Sequence, residues 1–282
     1  MNPVRNFKYY FLGLLFIITV FVWYAVFAES RDGLTVAFLD VGQGDAIFIE
    51  APNGNQILID GGPNKSVLRQ VSKIMPFYDR SIDVVIESHP DSDHINGLVE
   101  VLKRYNIGLV MESGVSNGSE SYKEIKKIIQ EKDIKNILAR QGMKINLDDG
   151  IDMDILFPDR DVSGLETNTA SVVAKLNYGE NCFIFAGDSP KAIEQYLVSV
   201  YGDKLNCEVL KIGHHGSNTS TSESFLGYVD PEYAVISVGE NKYGHPHQET
   251  LDLLGRFGIN ILRTDQSGTI KIKSDGENLV IF

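Results

Sequence analysis

Cysteine is nearly absent from this chain: Cys182 and Cys207 are the only two in 282 residues. Two are too few for a disulfide framework, and Cys182, set in the apolar run CFIFAG, reads as a buried thiol. Basic residues are also in deficit, with 26 Lys and Arg against 38 Asp and Glu and a net charge of −12. Such a surface repels phosphate backbones. It disfavours broad electrostatic binding of nucleic acid unless a local basic patch or a bound metal reverses the field. No short-period repeat and no long linker interrupts the sequence. Histidine is scarce too, with six residues and none between 94 and 214.

Charge is missing altogether from YYFLGLLFIITVFVWYAVFA, Tyr9 to Ala28. Twenty apolar residues span a bilayer core as a helix. Tyr9, Tyr10, Trp23 and Tyr24 supply interfacial aromatics, and Arg5 and Lys8 place the N-terminus on the cytoplasmic side. The expectation is a single-pass membrane anchor over residues 1–32, with the rest of the chain extracytoplasmic. The alternative is a signal peptide cleaved after Val26-Phe27-Ala28, which would release a secreted protein, although the apolar region is long for that.

From Gly33 onward the texture is that of one catalytic domain, 33–282. LTVAFLDVG, AIFIEA and NQILIDGG read as strands, separated by the turns GQGD and PNGN. Val67, Leu68, Val71 and Ile74 have helical spacing over 64–79, and IDVVIES is a buried strand leading to His89. A helix follows over 96–105, then a strand in GLVMES, a helix in SYKEIKKIIQEK and a strand in KNILA. IDMDILFP, SVVAKLNYG and NCFIFAGD are three more strands. They precede a helix in PKAIEQYLVSV, with Ser189 as its cap and Pro190 at its first position. CEVLKIGHHG and YAVISVG are strands, HQETLDLLGRFG a helix, and INILRTD, TIKIKS and NLVIF the closing strands. Two mixed sheets with helices outside, a four-layer αββα sandwich of the α+β class, fit this order.

The histidines follow strands or sit in Gly- and Pro-rich turns, where a scaffold displays functional groups. His89, Asp91, Asp93 and His94 fall within six residues, SHPDSDH, and offer imidazole and carboxylate together. That mixture suits zinc, manganese or iron rather than calcium, and without a cation the crowded carboxylates would repel. The bland alternative is a polar turn whose aspartate caps a helix.

HPDSDH followed by Gly97 resembles the HxHxDH signature of the metallo-β-lactamase superfamily, with Asp91 in place of the second histidine. FLDVGQGDAIFI, ILIDGG, NTASVVAKLNYG, FIFAGD, LKIGHHGS, ISVGENKYGHP and RTDQSGTIKI together resemble the extracytoplasmic hydrolase domain of ComEC-type DNA-uptake competence proteins, over nearly all of 34–282. The resemblance implies the αββα fold and metal ligands at His89, Asp91, Asp93 and His94, with Asp188 as the carboxylate that bridges two ions. It implies His245, in YGHP, as the last ligand. It leaves His214 and His215 as catalytic residues, one of which can instead complete the metal shell while the other donates a proton or holds a phosphate. His247 is either a surface residue or a further member of the site. Asp45 and Asp60 lie in turns beside the site, where they can orient ligand histidines. Where the superfamily has a further ligand histidine this chain has Asn168-Thr169, so the metal count is open between one and two.

The expected cofactor is one or two divalent ions, zinc with manganese as the alternative. The expected reaction is hydrolysis of a phosphodiester, single-stranded DNA being a candidate substrate, by metal-activated water. Hydrolysis of a lactone, thioester or β-lactam on the same fold, or a non-catalytic accessory role, are the other readings. One candidate span cannot by itself form a DNA channel.

Overall fold

A computed structural model describes residues 3–28 and 33–282. The chain divides into two units, Met1–Asp32 and Gly33–Phe282. In the first, α1 (Pro3–Ala28) is long and apolar enough over Phe7–Tyr24 to cross a membrane, and its side chains there are exposed. The side chains of Arg5 and of the cleavage motif Val26-Phe27-Ala28 lie outside the described residues, as does the junction 29–32.

The second unit begins with β1 (Leu34–Phe38), β2 (Ile47–Glu50), β3 (Gln56–Ile59), α2 (Ser66–Val71), β4 (Ser81–Glu87), α3 (Ser92–Arg104), β5 (Asn106–Glu112), α4 (Glu120–Glu131) and β6 (Lys135–Leu138). It continues with β7 (Lys144–Asp148), β8 (Ile151–Phe157), β9 (Val173–Tyr178), β10 (Asn181–Phe185), α5 (Lys191–Tyr201), β11 (Val209–Lys211), α6 (Glu223–Val229), β12 (Tyr233–Ile236) and α7 (Gln248–Arg256). β13 (Asn260–Arg263), α8 (Thr264–Ser267), β14 (Ile270–Ser274) and β15 (Leu279–Ile281) complete it.

The strands form an eight-stranded sheet, β15-β14-β1-β2-β3-β4-β5-β6, and a seven-stranded sheet, β13-β12-β11-β10-β9-β8-β7. Pairing is parallel from β3 to β6 and from β10 to β13, and antiparallel elsewhere. The parallel strands are covered on both faces, which is why VVIE and NCFIF read as continuous apolar runs. Phe38, Ile86, Met153, Phe183 and Phe185 fill the space between the sheets. Leu58, Val85 and Val110 meet Val67, Leu98 and Ile125 from α2 to α4, and Ile184, Leu210 and Ala234 meet Leu197, Phe225 and Leu254 from α5 to α7. The architecture is the αββα sandwich that the strand order implied.

Several local expectations shift. The helix expected from Asn96 begins at Ser92, which puts His94 in its first turn and Asp91 at its cap position. The helical stretch over 64–79 contracts to α2. Pro190, not Ser189, occupies the cap position of α5, and the Ser189 hydroxyl is buried without a partner. The cysteines also depart from the buried-thiol reading, because Cys182 and Cys207 form a disulfide. Cys182 lies on β10 and Cys207 just precedes β11, so the neighbouring parallel strands bring them together.

Under α4 lies a buried acidic pair. Glu87 and Glu112 are cross-strand partners on β4 and β5. Glu112 pairs with Lys126 and accepts a hydrogen bond from Asn136 Nδ2 (2.8 Å), whereas both oxygens of Glu87 are buried without a partner. Burial, then the neighbouring Glu112 carboxylate, pushes the Glu87 carboxyl up to about 8.

Two outcomes follow. Because the folded protein holds the Glu87 proton more tightly than the unfolded chain, its contribution is fullest below the ordinary carboxyl range and is lost as pH rises toward 8. Glu87→Gln, which mimics the neutral acid, raises the thermal midpoint at pH 8 and raises it less at pH 5. A difference from wild type that is the same at both pH values refutes this. Closing a loop of this size with a disulfide stabilises by about 2–4 kcal/mol. Dithiothreitol therefore lowers the urea midpoint of the wild type but not that of a Cys182→Ala/Cys207→Ala variant, and equal midpoints with and without reductant in the wild type would show unpaired thiols.

Candidate metal centre

The C-terminal ends of the central strands of both sheets converge. The turn after β1 brings Asp45, the turn after β3 brings Asp60, and β4 leads through Ser88 and His89 into α3. From the other sheet, Asp188 follows β10, His214 and His215 follow β11, and His245 lies in the loop after β12. Glycines allow the close approach of these turns. Gly61 N donates to His94 O (2.7 Å) and Gly97 N to Gly62 O (3.0 Å), and a Cβ on Gly97 would lie 1.9 Å from Gly61 O. Only glycine at 97 lets α3 dock on the Asp60-Gly61-Gly62 turn.

Asp188 Oδ2 is the geometric centre. It lies 3.4 Å from His94 Nε2, 3.6 Å from His215 Nε2, 3.8 Å from His214 Nε2 and 3.9 Å from His89 Nε2. His215 Nε2 is 3.3 Å from Asp93 Oδ2, and His89 Nε2 is 3.7 Å from Asp91 Oδ2. Most of these separations are long for hydrogen bonds. They fall near the spacing of two ligands on one tetrahedral ion, about 3.3 Å for bonds of about 2.0 Å.

The outer ring atoms fix the inner ones. His94 Nδ1 donates to Asp60 Oδ2 (2.8 Å), and His215 Nδ1 donates to Ser237 O (2.8 Å). The Ser88 hydroxyl donates to Asp60 Oδ2 (2.6 Å), so it accepts from His89 Nδ1 (3.0 Å). With Nδ1 engaged in these bonds, all three rings turn Nε2 inward, and in the neutral tautomer each presents a lone pair there. The three Nε2 atoms and Asp188 Oδ1 are buried without hydrogen-bond partners. Buried polar atoms are normally satisfied, and a set of orphaned lone pairs facing carboxylates fits a divalent cation. His89, His94 and Asp188 form one group able to hold an ion, and Asp93, His94 and His215 another.

The electrostatics agree. Burial pushes the Asp60 carboxyl up, although His94 opposes this. Burial would do the same to Asp45 and Asp188, but Lys211 and His215 hold Asp45 well below its usual range, and His215 and His94 do so for Asp188. Burial would lower His94 and His215, yet Asp188 and its carboxylate neighbours raise both, His215 to about 10. His89 goes the other way, to about 3, through burial and then the charge on His94. The site is a concentration of negative charge seeking cations.

Lys211 went unmarked in the sequence reading. It ends β11 fully buried, pairs with Asp45 and donates to Gly187 O (3.0 Å), with Asp188 Oδ1 at 3.8 Å. The available signal was a lysine inside the apolar run VLKIG. Asp60, read as a turn residue able to orient a ligand, holds His94 directly and His89 through Ser88. His245 stands further out and half-buried, its ring 5.3 Å from that of His214 and 6.5 Å from that of His215. His247 ties two loops together, accepting from Asn218 N at Nδ1 (2.9 Å) and donating from Nε2 to Tyr243 O (3.2 Å). At the histidine-poor position, Asn168 opens a short 3-10 turn and its Oδ1 is buried without a partner, while neighbouring Thr167 lies beside the Asp91 carboxylate and favours its charged form.

Comparison with known proteins places this geometry. ComE operon protein 3 of Bacillus subtilis (strain 168) is 31% identical over 265 residues, which cover 86% of this chain and 33% of that protein. Competence protein ComA of Neisseria gonorrhoeae is 32% identical over 256 residues, covering 89% and 34%. The chain thus spans about a third of the length of these relatives. Among solved structures, the metallo-beta-lactamase fold protein YhfI from Bacillus subtilis superposes with a TM-score of 0.57 at 12% identity, covering 85% of this chain and 100% of that one, a likeness of fold. The family model for the metallo-beta-lactamase superfamily matches residues 39–240, a span that holds the inward-facing donors from Asp45 to His215. The chain belongs to the metallo-beta-lactamase superfamily.

Proposed function

We propose that this chain is a membrane-anchored, metal-dependent phosphodiesterase that acts outside the cytoplasmic membrane, with single-stranded DNA as its substrate. The observation that carries the reading is the crowding of four imidazole nitrogens around Asp188 Oδ2, three of them buried and unpartnered. The competence proteins among its relatives support a nucleic-acid substrate. The apolar helix α1 supports the anchor.

His89, Asp91 and Asp188 would hold one ion; Asp93, His94, His215 and Asp188 would hold the second. Nitrogen-rich ligation favours zinc, while Asp91, an oxygen donor in place of a histidine, keeps manganese as the alternative. Such ions supply Lewis-acid activation of water and offset the charge developing on the phosphoryl oxygens. Asp60 keeps the histidines in the tautomer that binds. Lys211 fixes Asp45 and faces the Asp188 oxygen turned away from the imidazoles. His214 is partly open to solvent at the cavity wall, anchored at Nδ1 to Thr219 Oγ1 (3.1 Å). Its Nε2 would donate a proton to the leaving oxygen. His245, set outside the donor cluster, faces the same cavity and contacts the substrate.

Full-length protein purified in detergent retains one or two equivalents of zinc or manganese and hydrolyses thymidine 5′-p-nitrophenyl phosphate. Chelation abolishes turnover and either metal restores it. Asp60→Asn weakens zinc affinity by about 10–100-fold, measured by competition with a chelator. Bound metal without turnover of any phosphodiester overturns the reading. If His214 is the acid, His214→Ala slows hydrolysis of an alkyl phosphodiester by about 10²–10⁴-fold. It slows the p-nitrophenyl ester much less, since nitrophenolate leaves without a proton. Equal losses on both esters refute that role.

A further inference from the structure

The cavity over the donor cluster has a volume of ≈ 190 Å³, and Gln43 and Tyr243 line it beside Asp91, Asp93, Asp188, His214, His215 and His245. The same Gln43 and Tyr243 line a wider groove of ≈ 470 Å³, together with Glu240, Asn241 and Lys242. Gln43 and Tyr243 thus border both, and Tyr243 stands between the donor cavity and the groove. Tyr243 is 60% exposed, and its ring lies at 30° to the ring of His245, with centroids 5.7 Å apart. The Lys242 ammonium is 5.7 Å from the tyrosine centroid.

An exposed tyrosine ordinarily needs no explanation, but this one is held in place through its backbone. Asn241 Nδ2 donates to Gly239 O (2.9 Å) and His245 O (2.8 Å), and its Oδ1 accepts from Tyr243 N and His245 N (3.0 Å each). The Tyr243 carbonyl accepts from His247 Nε2 (3.2 Å), and His247 is itself tied to Asn218. An aromatic carried on a backbone held this way, beside a phosphate-sized cavity, needs little loop ordering before a flat ring settles on it.

We propose that Tyr243 is a stacking platform for the nucleobase adjacent to the bound phosphodiester, a subsite that rests on the phosphodiesterase reading above. Stacking suits this protein because it needs no basic surface and tolerates any base. Glu240 and Lys242 both line the groove, one charge of each sign, so the aromatic face rather than a basic surface is what it offers a base.

The test is calorimetric titration of zinc-loaded, full-length protein in detergent with thymidine 5′-monophosphate and with 2-deoxyribose 5-phosphate. The wild type is expected to bind the nucleotide about tenfold more tightly than the sugar phosphate. Tyr243→Ala loses the difference and Tyr243→Trp keeps it. Equal or undetectable binding of the two probes by wild type, or a preference that survives Tyr243→Ala, overturns the proposal. Turnover of methyl p-nitrophenyl phosphate with no base-dependent binding removes this subsite and leaves the phosphodiesterase reading standing. Base-dependent binding lost in Tyr243→Ala, with no turnover of any phosphodiester, supports the subsite and removes the phosphodiesterase reading.

Discussion

Three carboxylates, those of Asp45, Asp60 and Asp188, are almost wholly buried where the strand ends of the two sheets meet, and the ammonium of Lys211 is buried with them. Burying an ionised carboxylate costs several kcal/mol even after the protein relaxes, roughly the whole net stability of a domain when three are involved. The arrangement persists only if positive charge is brought in. Lys211 supplies one charge, and the imidazoles can supply protons, as the upward displacement of His94 and His215 shows. Divalent ions do the same more effectively, because they bind Nε2 lone pairs and carboxylates at once. Ligand orientation, tautomer choice and the docking of α3 on the Asp60 turn all follow from keeping those charges apart from each other and close to a cation.

The sandwich makes this concentration possible without weakening the core. The donors sit at strand ends, where the chain leaves the apolar space filled by Phe38, Phe183 and Phe185. Donors from each sheet are sequentially local, in SHPDSDH and in GHHG, but the two sets meet only through packing of the sheets. The disulfide sits at the opposite end of the β10 and β11 pair from Asp188 and the GHHG turn. It can stabilise the strand pair while leaving the donor end shaped by hydrogen bonds alone.

How much was legible follows from which of these relations are local. Strand order and the αββα class could be read because apolar runs and turn residues are properties of short segments. His89 could be placed because VVIE leads to it. The start of α3 could not, because its first turn, SDH, is wholly polar and shows no helical periodicity until Ile95. β7, an edge strand with two of its five residues exposed and only one buried, lacks the apolar run that marks its neighbours. The partnership of Lys211 with Asp45 depends on contacts between strands distant in sequence. So does the pairing of the cysteines. The arrangement of His214 and His215 depends on two consecutive left-handed residues, with φ of 48° at His214 and 54° at His215, which turn the second ring inward. Non-glycine residues seldom adopt that conformation, so nothing in the letters HHG announces it.

The net charge of −12 sits uneasily with a polyanionic substrate only if charge is treated as uniform. At physiological ionic strength exposed carboxylates are screened beyond about 8 Å, whereas ions held by buried ligands are screened far less. The acidic surface therefore governs approach, slowing encounter and removing non-specific attachment along a phosphate backbone. The chemistry is governed by the recessed centre. His89 and Asp188 lie below the surface, so on the proposed reading a phosphodiester must be delivered into the cavity rather than laid across its mouth. A flexible single strand can bend a phosphate inward while a neighbouring base remains in the groove beside Tyr243, and a stiff duplex cannot do so without unstacking. On that reading, selectivity for single strands would come from depth and surface charge together, with no base-reading contact required.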